Sequence, residues 1–239
     1  PRTFIWRVEL CGRPMAHAGA SDHWERLWAS GLAKGDKFDV GGPSATLLGA
    51  LRRLDPVSEG ATALVPGAGR AYDALALAAS GFARVVALEL SPSACDAAKR
   101  EIEASGHPRA ASVEVCCGDF FRHTGAYDLV WDCTFLCALD PSVRERWAAA
   151  HRSLLKPQGR LLTAIFPIDA SRPDGSGPPY PLSLDLLRRL LHPAGLQAVG
   201  VRETLPASEQ HRPGGFSGKA ETALAVWAIG GLGGGGGSG

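Results

Sequence analysis

Apolar residues along this chain fall into two alternating patterns. Short, nearly unbroken apolar runs occupy residues 61–65, 84–88, 113–117, 127–133, 160–166, 196–201 and 222–229. Runs of that length, bounded by Gly, Pro or Asp, predict buried strands. Between them apolar residues recur every three or four positions, which predicts helices. Ser21 and Asp22 open one, with Trp24, Leu27 and Trp28 on a single face. A second begins near Pro43 and Ser44, and Leu47, Leu48, Leu51 and Leu54 supply its buried face. A third joins the first two strands, Ser91-Pro92-Ser93 caps a fourth through Glu103, Asp140-Pro141 opens a fifth to Leu155, and a sixth covers 183–191. Lys156, Pro157, Gln158 and Gly159 predict a turn into the fifth strand.

Strands separated by helices predict an α/β fold, a doubly wound seven-stranded sheet that is mostly parallel. No helical pattern separates the last two strands, so the last strand is expected antiparallel. Residues 21–229 are expected to form a single domain, with 1–20 an extension outside its core and the Gly-rich 230–239 a flexible tail.

Chemistry enters with the first strand. It breaks at Pro66-Gly67-Ala68-Gly69, a helical pattern follows, and the second strand ends in Glu89. Strand, glycine turn, helix, strand and acid is the layout of a nucleotide-type cofactor site, with glycines where backbone amides approach the ligand and the acid on a ribose hydroxyl. A glycine turn can also serve only to reverse the chain. Tyr72 stands where a dinucleotide fingerprint has its third glycine. That favours a cofactor with adenosine but no pyrophosphate, such as S-adenosylmethionine. The third and fourth strands also run into acids, Asp119 and Asp132, and in an open parallel sheet Glu89, Asp119 and Asp132 should converge on one crevice. Glu89→Ala is expected to weaken donor binding by about 1–3 kcal/mol with little effect on folding.

Composition narrows the partners. Twenty-five Lys and Arg balance 24 Asp and Glu, so no global field recruits nucleic acid or an anionic membrane. No apolar run is long enough to span a bilayer. The six cysteines lack paired C-x-x-C spacing and read as reduced core residues, with no metal site. His107, His123, His151 and His192 read as surface or capping residues. The only Met is Met15, so residues ahead of it carry no functional reading. A soluble, cytoplasmic monomer is expected.

The ordered motifs resemble the S-adenosylmethionine-dependent methyltransferases of the thiopurine S-methyltransferase type, especially their halide/thiol branch. The carrying stretches are Trp24-Glu25-Arg26-Leu27-Trp28, Leu64-Val65-Pro66-Gly67-Ala68-Gly69-Arg70-Ala71-Tyr72-Asp73, Gly118-Asp119-Phe120-Phe121, the strand from Tyr127 onward to Leu139, Leu154-Leu155-Lys156-Pro157 and Gly177-Pro178-Pro179-Tyr180. The resemblance implies a class I, Rossmann-like methyltransferase acting on a small thiol-type or halide nucleophile. Periodicity alone makes Trp24 and Trp28 core anchors, whereas the resemblance makes them a lid over the cofactor. It places Gly67 and Gly69 under the methionine moiety, Glu89 on the ribose, Asp119 and Phe120 on the adenine, and Arg144 and Tyr180 near the acceptor.

Three positions depart from the pattern. Phe38 stands where the family loop usually has Trp, Glu89 where many members have Asp, and Cys133 where the halide/thiol branch usually has Tyr. Phe38 and Cys133 count among the expected cofactor contacts. In-line transfer from a sulfonium needs alignment and exclusion of water rather than a strong base, which agrees with the lack of a recognisable catalytic triad. Other readings of the same residues are an oxygen, nitrogen or metalloid acceptor, an inactive cofactor-binding domain and, last, a dinucleotide oxidoreductase.

Overall fold

A computed structural model describes residues 18–173, 175–213 and 220–230. The readings for 1–17 and 231–239 lie outside these residues. The elements in chain order are α1 (Ala18–Ala29), α2 (Ala45–Leu51), β1 (Thr62–Pro66), α3 (Tyr72–Ala79), β2 (Arg84–Glu89), α4 (Pro92–Ala104), β3 (Val113–Cys117), β4 (Tyr127–Cys133), α5 (Arg144–Leu154), β5 (Leu155–Ile168), α6 (Leu184–Leu191), β6 (Leu196–Arg202) and β7 (Glu221–Ile229). The strands form one sheet in the order β3-β2-β1-β4-β5-β7-β6. Pairing is parallel from β3 across to β5, and β7 inserts antiparallel between β5 and β6. Strand order reverses between β1 and β4, and the crevice above such a switch is where open sheets bind ligands.

Alternation along each strand divides the core into two layers. Ala63, Val65, Val85 and Ala87 pack with Leu77, Ala98 and Ile102 on one face. Leu64, Val86, Leu88 and Val130 pack with Trp147, Leu187 and Leu191 on the other. Both faces are covered, so the central strands read as continuous apolar runs rather than alternating ones.

Several elements differ from expectation. α1 begins three residues ahead of Ser21. In α2 the buried positions are Thr46, Leu47, Gly49 and Ala50, while Leu48 is exposed. The helix lies against the segment after β6, where Gly49 leaves room for Glu209: a Cβ there would sit 2.5 Å from the Glu209 Cδ. The expected turn at 156–159 is instead an irregularity inside β5, whose register jumps from Tyr127↔Leu155 to Leu129↔Arg160. His151 is fully buried rather than a surface residue.

Glu209 joins the late chain to α2. Its carboxylate meets Arg53 at 2.6 Å, Arg202 at 2.6 Å and Arg52 at 3.4 Å. Hydrogen bonds from Arg53 and Arg202 hold its pKa at about 2, below the usual 4.5. A depressed carboxylate stabilises the fold above its unfolded pKa and loses that contribution as pH falls through the folded one. Acid titration of stability should therefore show a component between about pH 5 and 2 in the wild-type protein that is missing in Glu209→Gln. Parallel titration curves for the two proteins would remove Glu209 from this role.

Candidate active site

The carboxyl ends of β1, β2, β3 and β4 open onto a cavity of about 1060 Å³. Small-molecule sites commonly span roughly 300–1,000 Å³, so this one has room for a cofactor and a second small molecule. β1 ends in the glycine turn, whose Ala68 N–H donates to the Leu88 carbonyl at 3.1 Å and so fixes the turn beside β2. Gly67 has φ +60°, and a Cβ there would sit 2.6 Å from Phe135 Cδ2. Gly69 has φ +52°, and a Cβ there would touch the Trp28 ring at 3.4 Å. Backbone conformation demands glycine at both positions, and at Gly67 the Phe135 contact does so as well.

Glu89 ends β2 on the cavity wall and is 7% exposed. One carboxylate oxygen accepts from the N–H groups of Leu90 (2.7 Å) and Ser91 (3.1 Å), the other from Gly69 N–H (3.0 Å). Burial pushes its pKa up against the pull of these bonds. A carboxylate has about four acceptor directions, so three backbone bonds leave one for a ligand hydroxyl. Asp119 follows β3, accepts from Phe121 N–H at 2.9 Å and lies on the wall beside Phe120. Phe120 is buried edge-on to Phe135, with ring centroids 5.0 Å apart.

The roof comes from α1 and the loop after it. Trp24 and Trp28 line the cavity, and both meet Phe38 edge-on at 5.6 and 5.7 Å. Trp28 also packs on Leu32, Ala94 and Ala97, so the same ring is a core anchor and part of the cavity wall. Glu25 fixes α1 over the N-terminus of α4, accepting from Ser91 Oγ (2.5 Å), Ser93 Oγ (2.6 Å) and Ser93 N–H (3.2 Å). An acid at a helix N-terminus is favourably placed, and the serine hydrogen bonds lower its pKa. Asp39 closes the following loop by accepting from Gly41 N–H (2.6 Å) and Arg70 Nε (2.8 Å), and Arg70 lies over the Trp28 ring.

Beyond Phe135 the cavity continues over β4 and β5, where Cys133, Phe166, Pro178, Pro179 and His211 form the wall. Arg144 and Tyr180 meet each other, guanidinium over ring at 5.6 Å. Neither lines the cavity, although their chain neighbours Ser142, Val143, Pro178 and Pro179 do. Asp132 does not join Glu89 and Asp119. It is turned to the opposite face, where it accepts from Trp147 Nε1 (2.8 Å) and Leu136 N–H (3.2 Å) and meets His151 Nε2 at 3.2 Å. Strand alternation explains this, because Asp132 and Cys133 point to opposite faces.

Tyr72, Asp73, Ser44 and His211 are among the wall residues not singled out as contacts from sequence. Tyr72 presents a buried hydroxyl without a protein partner, and burial pushes its pKa up to about 12. Asp73 accepts from Ser44 N–H at 2.7 Å and Trp131 Nε1 at 2.6 Å, which orients both Asp73 and Ser44 at the wall. His211 carries no motif and sits in a loop without periodicity. Tyr72 was legible only as a missing glycine.

S-adenosylmethionine fits these residues. The residues present offer what it would need: a free acceptor direction at Glu89, an aromatic face at Phe120 and backbone left open by the glycine turn. Among the described residues no group of His, Cys, Asp or Glu is placed to hold a metal ion, and no helix is long and apolar enough to cross a membrane.

Comparison with known proteins agrees. The family described as thiopurine S-methyltransferase matches residues 19–227. A probable thiol methyltransferase 2 of Arabidopsis thaliana is 35% identical over 184 residues, covering 76% of each protein. Thiocyanate methyltransferase 1 of Brassica oleracea is 35% identical over 182 residues, covering 75% of this chain and 76% of that protein. Among solved structures, the glycopeptide N-methyltransferase MtfA complexed with S-adenosylmethionine superposes with a TM-score of 0.61 at 18% identity, over 83% of this chain and 99% of that one. That likeness shows the fold, and with the glycine turn, the strand-end acids and the family match over 19–227, the chain belongs to the thiopurine S-methyltransferase family and is an S-adenosylmethionine-dependent methyltransferase.

Proposed function

We propose that the protein transfers the methyl group to a small soft nucleophile: a thiol, bisulfide, thiocyanate or halide. The carrying observation is the apolar far end of the cavity, walled by Phe135, Phe166, Pro178 and Pro179. Such a wall offers no counter-charge to a hard oxyanion and strips water from a polarizable sulfur or halide. The names of the Arabidopsis and Brassica relatives, thiol and thiocyanate methyltransferase, support the same class.

The donor supplies a methyl group activated by the positive charge of its sulfonium. In this reading Glu89 holds the ribose, Asp119 and Phe120 hold and cover the adenine, and Gly67 and Gly69 let the backbone approach the methionine part. Trp24, Trp28 and Phe38 close the roof and exclude water. Cys133 borders the donor and acceptor ends, and Arg144 and Tyr180 shape the acceptor end from behind. Their work is alignment, which can supply a large part of the barrier reduction in a two-substrate displacement. We place this activity in residues 21–229 of a cytoplasmic monomer, which gel filtration of the purified protein would check.

Headspace mass spectrometry after incubation with donor and a panel of iodide, thiocyanate, bisulfide and alkyl thiols tests the reading. Methylated product from these is expected. Donor binding by calorimetry with product only from a phenol, an amine or a metalloid, or with no product at all, would overturn it.

A further inference from the structure

Asp73 stands in the first turn of α3, just after the glycine turn. It lines the cavity and is only partly buried, so a ligand can reach it. One carboxylate oxygen accepts from Ser44 N–H at 2.7 Å and the other from Trp131 Nε1 at 2.6 Å. Both donors are neutral, and among the described residues no Lys, Arg or His pairs with this carboxylate. A carboxylate has about four acceptor directions, so about two stay open. Burial pushes its pKa up, as expected of a charge held without full compensation. Other acids on the wall are better supplied: Asp39 is neutralised by Arg70 at 2.8 Å, and Glu89 accepts from the N–H groups of Gly69, Leu90 and Ser91.

Strand order sets which part of a donor would meet Asp73. Glu89 ends β2, Asp119 follows β3, Trp131 belongs to β4, and β1 with its glycine turn lies between β2 and β4. The Asp73 charge is also felt at Cys133, the last residue of β4, where it adds to the effect of burial in raising the thiol pKa. A donor with its ribose on Glu89 and its adenine beside Phe120 therefore crosses the glycine turn and extends its methionine part toward Asp73. That part carries two positive groups, the sulfonium and the ammonium. The sulfonium loses its charge as the methyl group leaves, so a carboxylate set against it would hold back the step. The ammonium keeps its charge throughout and can be held equally tightly in the ground and transition states.

We propose that Asp73 binds the α-ammonium group of the donor and so fixes the methionine part on the β4 side of the glycine turn. The inference rests on the donor placement of the reading above. The open acceptor directions suit the N–H groups of one ammonium, and the pairing supplies the counter-charge that two neutral donors leave wanting. Ser44 N–H and Trp131 Nε1 hold the carboxylate in position for it. S-adenosylhomocysteine carries the same ammonium and no sulfonium, so its binding isolates this contact.

Calorimetry with S-adenosylhomocysteine and with its analogue carrying hydrogen in place of the α-amino group tests it. The wild-type protein should bind the amine about 30-fold more tightly, the scale of a charge-assisted hydrogen bond, and equal affinities overturn the inference whatever the fate of any variant. In Asp73→Asn the preference should fall to about threefold. A variant that binds both ligands more weakly yet keeps the wild-type preference would leave Asp73 as a prop for Ser44 and α2, which also overturns it. Methylthioadenosine, which lacks the amino acid part, separates this inference from the donor placement, because Glu89→Ala should weaken its binding as well. If Glu89→Ala leaves methylthioadenosine affinity unchanged, the donor placement fails and this inference with it, whereas a missing preference for the amine overturns this inference alone.

Discussion

Glu89→Ala is expected to weaken binding of S-adenosylhomocysteine about 10- to 100-fold and to destabilise the fold by about 2–4 kcal/mol. The first effect follows from losing charge-assisted hydrogen bonds to the ribose, roughly 1–3 kcal/mol. The second corrects the expectation of little effect on folding. The N–H groups of Gly69, Leu90 and Ser91 all donate to this carboxylate, and each buried group left unpaired costs about 1–3 kcal/mol unless water replaces the oxygen. Calorimetry at low temperature reads the affinity, and urea unfolding reads the stability. Unchanged affinity would remove Glu89 from the donor site, while unchanged stability would mean that water fills the vacated space.

Asp132→Ala should show the reverse split. Asp132 is 2% exposed and holds Trp147, His151 and the Leu136 N–H together between β4 and α5. Removing a buried charged partner leaves the indole and imidazole donors without acceptors, at about 3–5 kcal/mol. The cavity does not touch this carboxylate, so donor affinity measured well below the unfolding transition should stay within about threefold, roughly 0.6 kcal/mol. A variant as stable as wild type, or one that folds yet loses donor affinity by orders of magnitude, would contradict the assignment.

What the sequence made legible was what local chemistry decides. Ser91-Pro92 at the start of α4 and the glycine turn after β1 each act within a few residues and appear where the pattern put them, and β7 runs antiparallel as expected. Positions decided by contacts distant in sequence were not legible in the same way. Leu48 fits an amphipathic stripe, yet α2 buries Gly49 because Glu209, 160 residues later, is drawn against it by three arginines. Asp132 looked like a third site acid because a strand end in this fold favours one. Period-two alternation with Cys133 already argued against both facing the cavity. His211 had no local signal, since its neighbour on the cavity wall is Cys133, 78 residues away in sequence. Arg144 and Tyr180 illustrate the intermediate case: a resemblance can bring two residues to one end of a site without telling which stands at the surface.

The inverted strand β7 has a consequence for how specificity can change. Parallel strands return the chain to the far edge of the sheet before the next one begins. Because β7 runs the other way, Arg202 at the end of β6 pairs with Leu224, near the start of β7, so the connection begins and ends on the ligand side. It thereby delivers His211 to the cavity. The donor wall, by contrast, is built from residues 22–121. On the proposed reading, substitutions at His211 and Pro213, which line the cavity, should alter the choice of methyl acceptor more than the hold on the donor, while Glu209 in the same segment must keep its arginines for the fold.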